Sequence, residues 1–337
     1  MSNILLAAPM LDEQTGLYIY DTLIQMGNKV AFFDYREIGR KEGIPKMNKM
    51  FVDISTKLKP ELTIILKGIG LTGETIKTIK DNHDHKIVGW IFDVTLGGTI
   101  VKDVKPYVDM IKELDTFYTV DQDAIPDLTN LGVNAKYLTE GCFLPAHEEQ
   151  IFNFIQAKKY GADIVFLGTV GGLHKNRAKF LKRIYDEGFN FKIYGNVEYP
   201  KGEDPVWVKD THTGYGAIND KHSLVCGASK IVIGLDGWNT RTKAYSARLF
   251  RVLCAGGFYL TLHTKDIEEE FELGTHFDTF KDEDEMIEKI IKYLQDDELR
   301  EKIAKEGQKL VIDKHQFKHK LEQIVNDANL KNDNFIY

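Results

Sequence analysis

Only three cysteines occur in 337 residues, Cys142, Cys226 and Cys254, widely spaced and in apolar or loop contexts. That excludes a disulfide framework and a cysteine zinc site, and reduced thiols in a cytosolic setting are expected. No run approaches the roughly 18 apolar residues of a membrane span. The opening MSNILLAAPM has neither a basic start nor an apolar run long enough for a signal peptide. It reads as a first β-strand, and a cytoplasmic protein without a membrane span is expected. An excess of basic charge is missing too: 44 Lys and Arg against 51 Asp and Glu give a net charge of −7. This argues against a large non-specific nucleic-acid surface while leaving room for a local basic groove. Two nucleotide fingerprints are also absent. Only Gly16 follows the first strand, where a dinucleotide site would need Gly-x-Gly-x-x-Gly, and no Gly-Lys-Ser/Thr occurs anywhere. The first absence argues against a nicotinamide or flavin site, and the second excludes a P-loop.

What is present is an ordinary globular composition, 43% hydrophobic and 28% charged. The length exceeds that of most single cores and predicts two domains. Short apolar strands are read at 3–8, 29–33, 62–66, 87–92, 116–120 and 135–138, with helices at 16–26 and 72–82. Strand, loop, helix and strand within so short a stretch predict an α/β fold with a doubly wound sheet. Asp93 ends the strand in VGWIFDVT, where an acceptor-binding group or general base belongs; its other reading is a loop or cap aspartate. Asp121 and Asp123 form an Asp-x-Asp after a strand, a short pattern that can hold a metal–diphosphate pair or simply start a helix. Residues 139–145 are read as the crossing between domains. The predicted boundaries are 1–145, 146–325 and a tail at 326–337.

The second half repeats the strand–helix unit. A strand at 162–167 runs into GTVGGLHKNRAKFLKRI, a glycine loop opening a basic helix, which is an anion site by dipole and charge. A strand at 191–194 ends in Gly195-Asn196. Residues 197–215 read as a loop, a possible lid or base pocket. The stretch ASKIVIGLDGWNTRTKAYSARLFRVLCAGGFYLT reads as a buried strand at 230–235, a helix at 245–254 and a strand at 258–262. Ser246 and Arg248 are placed in the first turn of that helix, so hydroxyl, guanidinium and helix dipole can face one phosphate. Gly256 and Gly257 close the helix and permit close backbone approach. Capping serines and terminal glycines are equally ordinary parts of a β-α-β unit. Amphipathic helices at 282–294, 297–307 and 309–326 read as scaffold.

Taken together, FLGTVGGLHKNRAKFL, ASKIVIGLD, YSARLFRVLCAGGFYLT and the tail pattern MIEKIIKYLQDDELREKIAKEGQKLVIDKHQFKHKLEQI resemble the C-terminal domain of GT-B glycosyltransferases. Within that fold they are most similar to glycosyltransferase group 1 and its CgeB-like branch. The resemblance covers about 163–325, and the first half matches in layout and in LTEGCFLPAHEE. It implies two Rossmann-like domains with a cleft, a nucleotide-sugar donor on the second and an acceptor on the first. It places Gly168, Thr169 and Arg177 at the donor diphosphate and Ser246, Arg248, Gly256 and Gly257 on the family's signature helix, and Gly195, Asn196 and Arg251 are expected to join the donor site. Thr15 and Gly16 are assigned to the acceptor, and Asp93, Arg177 and Arg248 to catalysis. Helix starts and basic side chains stabilise a leaving diphosphate in such enzymes, so neither cofactor nor metal is expected.

The chain departs from the family pattern at two positions. Arg251 follows Phe250 where the family has a glutamate that meets the donor ribose, and Lys243 stands eight residues earlier in place of another carboxylate. Glycosyl transfer to a glycan, protein, small molecule or modified nucleobase is the leading expectation. A non-catalytic nucleotide- or sugar-binding module and a nucleotide-sugar epimerase of the same fold are the alternatives.

Overall fold

The computed structural model describes residues 2–10, 14–93, 104–172, 174–214 and 216–329. Residues 11–13 of the first loop, the Val-Thr after Asp93, Leu173, Tyr215 and the tail from 330 onward lie outside the described residues. Contacts divide the chain into two units, Met1–Glu140 with Phe317–Tyr337, and Gly141–Gln316.

The first unit runs β1 (Asn3–Ala7), α1 (Gln14–Gln25), β2 (Lys29–Phe33), α2 (Tyr35–Glu42), α3 (Ile44–Leu58), β3 (Leu62–Leu66), α4 (Gly73–Asn82), β4 (Lys86–Ile91), α5 (Val104–Lys112), β5 (Thr116–Thr119), α6 (Ile125–Asn130) and β6 (Ala135–Tyr137). Its strands pair in parallel in the order β2-β1-β3-β4-β5-β6. β3 is buried along its whole length, as a central parallel strand covered on both faces must be. The sequence reading gives a strand at 29–33 and no helix between it and the strand at 62–66, so α2 and α3 were not anticipated. Asp34 starts α2 by accepting the Glu37 N–H at 3.0 Å, and Gly43, at φ +84°, separates the two helices.

The second unit runs α7 (Leu144–His147), α8 (Phe154–Tyr160), β7 (Ile164–Leu167), β8 (Val170–Gly171), α9 (Arg177–Asp186), β9 (Phe191–Tyr194), β10 (Val197–Glu198), α10 (Val206–Thr211), α11 (Asp220–Gly227), β11 (Ile231–Gly234), α12 (Ala247–Cys254), β12 (Tyr259–Leu262), β13 (Asp278–Phe280), α13 (Glu283–Gln295) and α14 (Asp297–Lys314). The parallel order is β13-β12-β11-β7-β9, with β8 and β10 paired apart. Successive strand residues point to opposite layers: Ile164, Phe166, Ile231 and Ile233 join one cluster, and Val165, Leu167 and Val232 the other. The segment 197–215, expected as a loop, contains β10 and α10, whose Trp207 and Val208 are buried.

Two boundaries move. The last helix, α15 (Phe317–Asp327), belongs to the first unit and not to the second domain as expected. It buries Phe317, Leu321, Ile324 and Val325, sets Phe317 edge-on to Trp90, and takes Tyr118 Oη and Lys136 Nζ onto Asp327 at 2.7 and 2.9 Å. The helix expected to end at Gly307 instead continues as α14 to Lys314. Gly307 serves close packing: a Cβ there would lie 2.1 Å from the His276 carbonyl oxygen and 3.0 Å from Leu253. Alanine normally improves a helix interior over glycine by about 0.5–1 kcal/mol. Gly307→Ala is expected to do the reverse, destabilising by about 1–3 kcal/mol through overpacking, read from the urea midpoint. An unchanged or raised midpoint would refute this reading of the contact.

Candidate functional site

In the second sheet the strand order reverses between β7 and β11, so the loops leaving their carboxyl ends part from each other. Such a switch point is where α/β sheets take ligands. Two arginines cross it. Arg177, the first residue of α9, donates from Nε to the Leu235 carbonyl at 2.9 Å and from an Nη to that of Thr169 at 2.9 Å. Arg248, in the first turn of α12, donates from Nε to the Leu167 carbonyl at 2.6 Å and from an Nη to Asp236 Oδ1 at 3.0 Å. Each guanidinium therefore joins a group at the exit of β7 to one at the exit of β11. Both lie against the Phe166 ring, 5.8 and 5.4 Å from its centre.

Asp236 is the counterion of this pair and is almost fully buried, at 6% exposure. Besides Arg248 it accepts the Ser246 N–H at 3.0 Å and the Ser246 hydroxyl at 2.8 Å. Ser246 is thus the residue before α12, with its hydroxyl committed to Asp236, and only Arg248 of the two lies inside the first turn. Burial and then Arg248 push the Arg177 pKa down to about 10, which leaves it cationic at neutral pH. Tyr259, whose hydroxyl sits where a Gly234 Cβ would come within 2.1 Å, is pushed up to about 12, by burial first and then by Asp236.

The glycines let these pieces meet. A Cβ on Gly168 would lie 2.7 Å from an Arg248 Nη, and one on Gly195, at φ +143°, would lie 2.2 Å from the Gly168 carbonyl oxygen. The Gly168 N–H bonds the Tyr194 carbonyl at 2.8 Å and the Val170 N–H that of Asn196 at 2.9 Å. Gly168, Thr169, Arg177, Gly195, Asn196, Ser246 and Arg248 therefore share one end of the sheet. Gly256 and Gly257 lie at the opposite end, after α12 and before β12. Gly256, at φ +71°, closes the helix near Gln308 and Glu149, and Gly257 packs on Cys226 and Val252. Asp236 was missed in the sequence, although it carries the signal that marked Asp93, a carboxylate just past a strand.

Arg251 lies one helical turn beyond Arg248, among histidines. His147 and His222 meet edge to face at 5.8 Å. Burial, then Arg251 and His222, push the His147 pKa down to about 2. Burial, then Arg251 and Arg248, push that of His222 to about 3.

In the first unit the order reverses between β1 and β3. Thr15 and Gly16 open α1 behind the exit of β1, and a Cβ on Gly16 would lie 2.8 Å from the Pro9 carbonyl oxygen. Lys67, past the end of β3, holds Asp93 Oδ2 at 3.2 Å. Lys67 sits at φ +63°, a strained region for a side-chain-bearing residue. Its carbonyl accepts the Tyr107 hydroxyl at 2.8 Å, its N–H bonds the Trp90 carbonyl at 2.9 Å, and the next N–H, of Gly68, bonds Tyr35 Oη at 3.1 Å. Lys67 was not singled out in the sequence. Asp121, of the Asp-x-Asp, is buried ahead of a 3-10 turn at Gln122–Ala124, and among the described residues no group of three His, Cys, Asp or Glu is placed to hold a metal.

The buried histidines carry a pH dependence. Their folded pKa values lie below the ordinary value near 6.5, so the unfolded chain binds these protons more readily than the folded one. Their effect on stability is absent above that value and grows as pH falls below it. The loss approaches about 1.4 kcal/mol per pH unit for each histidine. Between about pH 6 and 4.5, His147→Gln/His222→Gln is expected to lose stability less steeply than the wild type in urea unfolding. Equal slopes would show that these histidines do not control the acid limb.

Residues 176–326 match a family described as glycosyl transferase-like. No curated protein matches by sequence. Among solved structures, HepE from Anabaena in complex with UDP-glucose superposes with a TM-score of 0.69 at 10% identity, over 98% of this chain and 100% of that one. Sucrose-phosphate synthase from Thermosynechococcus elongatus gives 0.70 at 11% identity, over 98% and 99%. MnaA from S. aureus in complex with UDP gives 0.58 at 11% identity, over 98% of each. The CgeB-like branch is not distinguished by these matches. The chain has the GT-B fold and carries a glycosyl transferase-like domain over much of its second half.

Proposed function

We propose that the protein transfers a sugar from a nucleoside diphosphate sugar to an acceptor hydroxyl. The observation that carries this reading is the arginine pair spanning the switch point of the second sheet, beside the starts of α9 and α12. Remaining N–H groups of Arg177 are assigned to the departing diphosphate. Arg248, only 13% exposed, keeps the two loops in place and adds positive charge from below. Fixed cations and helix starts of this kind stabilise developing negative charge without reorganising, so no metal ion is given a role. The complexes of HepE with UDP, UDP and glucose, and UDP-glucose make UDP the diphosphate to test first. The acceptor is assigned to the first unit. Asp93 there orients or deprotonates the hydroxyl, with Lys67 fixing its carboxylate, and Thr15 and Gly16 lie by the neighbouring strand exit.

A second reading, binding without turnover, draws on Asp236. A buried carboxylate that already takes up Arg248 and Ser246 leaves less positive charge for a diphosphate than two unpaired arginines would. The two readings separate experimentally. UDP at a hundredfold excess over its dissociation constant should stabilise the protein by about 2.7 kcal/mol, visible in Tm, under both. Only the transferase releases UDP from a UDP-sugar with an acceptor present. Arg177→Ala is expected to lower kcat about a hundredfold and also to lower the apo Tm, because the Leu235 and Thr169 carbonyls lose their donor. Unchanged turnover in both Arg177→Ala and Arg248→Ala would overturn the assignment, and UDP binding with no turnover across a broad donor and acceptor panel would establish the second reading.

Arg248→Met is expected to cost stability itself, about 3 kcal/mol, because Asp236 stays buried with its charge partner gone. Adding Asp236→Asn should recover part of that loss in urea unfolding. A double variant no more stable than the single one would argue against the pairing.

A further inference from the structure

The segment QIFNFIQAKKY, 150–160, presents its apolar residues outward. Ile151 is 100% exposed, Phe154 82% and Ile155 75%, more than any other large hydrophobic residue described. Phe152 turns inward, its ring 3.2 Å from where a Gly227 Cβ would stand, and Tyr160 packs against the core of the second unit. The helix α8 that carries Phe154 and Ile155 buries none of its seven residues.

This exposure is held in place from both ends of the helix. At its start Asn153 and Gln156 form a reciprocal cap, with bonds of 2.9 and 3.0 Å. At its end Lys192 Nζ donates to the carbonyls of Lys159 and Gly161 at 3.0 and 2.7 Å, and the Tyr194 hydroxyl to that of Tyr160 at 2.6 Å. On a helix, residues four apart share a face, so Phe154 stands in line with Lys158 and Ile155 with Lys159, both lysines exposed. Of the two preceding acids, Glu149 turns toward Gly256 and Gln308, while Glu148 is exposed.

We propose that α8 and Ile151 dock the protein on a bilayer surface bearing anionic headgroups. Protruding apolar side chains with lysines behind them match the two layers of such a surface. Ile151, Phe154 and Ile155 reach past the headgroups, and Lys158 and Lys159 meet lipid phosphate. A protruding tip does not complement itself, which disfavours a second copy related by a twofold axis. The net charge of −7 opposes a negative surface in general, so binding depends on this local feature.

The test is cosedimentation of the full chain with vesicles of phosphatidylcholine containing about a third phosphatidylglycerol at low salt. The wild type is expected in the pellet. Ile151→Ser/Phe154→Ser/Ile155→Ser should lower the partition coefficient roughly tenfold or more, and Lys158→Glu/Lys159→Glu roughly tenfold, with Tm unchanged in both. A wild type that stays in the supernatant, or a serine variant that sediments equally, overturns the proposal. So does a wild-type dimer in size exclusion that the serine substitutions convert to monomer, which would assign the face to a second copy.

Discussion

The second unit depends on two guanidinium groups lying across the gap where its strand order reverses. At that gap the exits of β7 and β11 part, and the carbonyls of Leu167 and Leu235 need donors that no neighbouring strand supplies there. Arg248 and Arg177 supply them, and in doing so bring two positive charges to the edge of the sheet where ligands bind. The rest of the local sequence follows from this. Gly168 must lack a Cβ for Arg248 to lie where it does, Gly195 must lack one for Gly168 to lie where it does, and Asp236 must be present to balance a buried cation.

The first unit uses the same topology with different chemistry. Its reversal lies between β1 and β3. The residue past β3 is Lys67, in a left-handed backbone conformation and paired to Asp93. The hydroxyls of Tyr35 and Tyr107 fix the backbone around it. A lysine matched by a carboxylate leaves little net charge for a diphosphate, yet it fixes the orientation of that carboxylate. The two strand exits thus differ in charge, which is the difference the proposed division into donor and acceptor sides rests on.

Much of this was legible in the sequence because parallel strands covered on both faces are short unbroken apolar runs. Apart from β13, every strand of the two main sheets was located within two residues at its start. What was hidden lay where local chemistry overrides pattern. Asp34 directly follows a strand but starts a helix through its side chain. Gly307 reads as a terminator but is the contact surface of a continuous helix. Ser246 and Arg248 were legible as a polar helix start. Their shared partner Asp236, ten and twelve residues away across a loop without periodicity, was not, because pairing over a loop leaves no repeating signal. Gly256 and Gly257 belong to the same strand–helix–strand segment as Arg248, yet a helix of eight residues carries them to the other edge of the sheet.

The two departures from the family pattern are each built into a local network. Lys243 Nζ lies 2.6 Å from Glu269 and 3.8 Å from Glu270, and Glu270 also takes the Tyr245 hydroxyl, so the reversed charge at 243 is neutralised nearby. Arg251 has instead gathered two histidines that burial keeps neutral. Neutral neighbours tolerate a half-buried cation, whereas protonated ones would add to its repulsion. A carboxylate at 251 would accept hydrogen bonds from ribose hydroxyls, while arginine can only donate. Any ribose held at Arg251 must therefore present its hydroxyl oxygens as acceptors, and the hydroxyl protons must find other partners. Under the proposed function, the altered position reverses the hydrogen-bond polarity offered to a nucleotide ribose, while Arg248, one turn earlier on α12, keeps its bonds to Leu167 and Asp236.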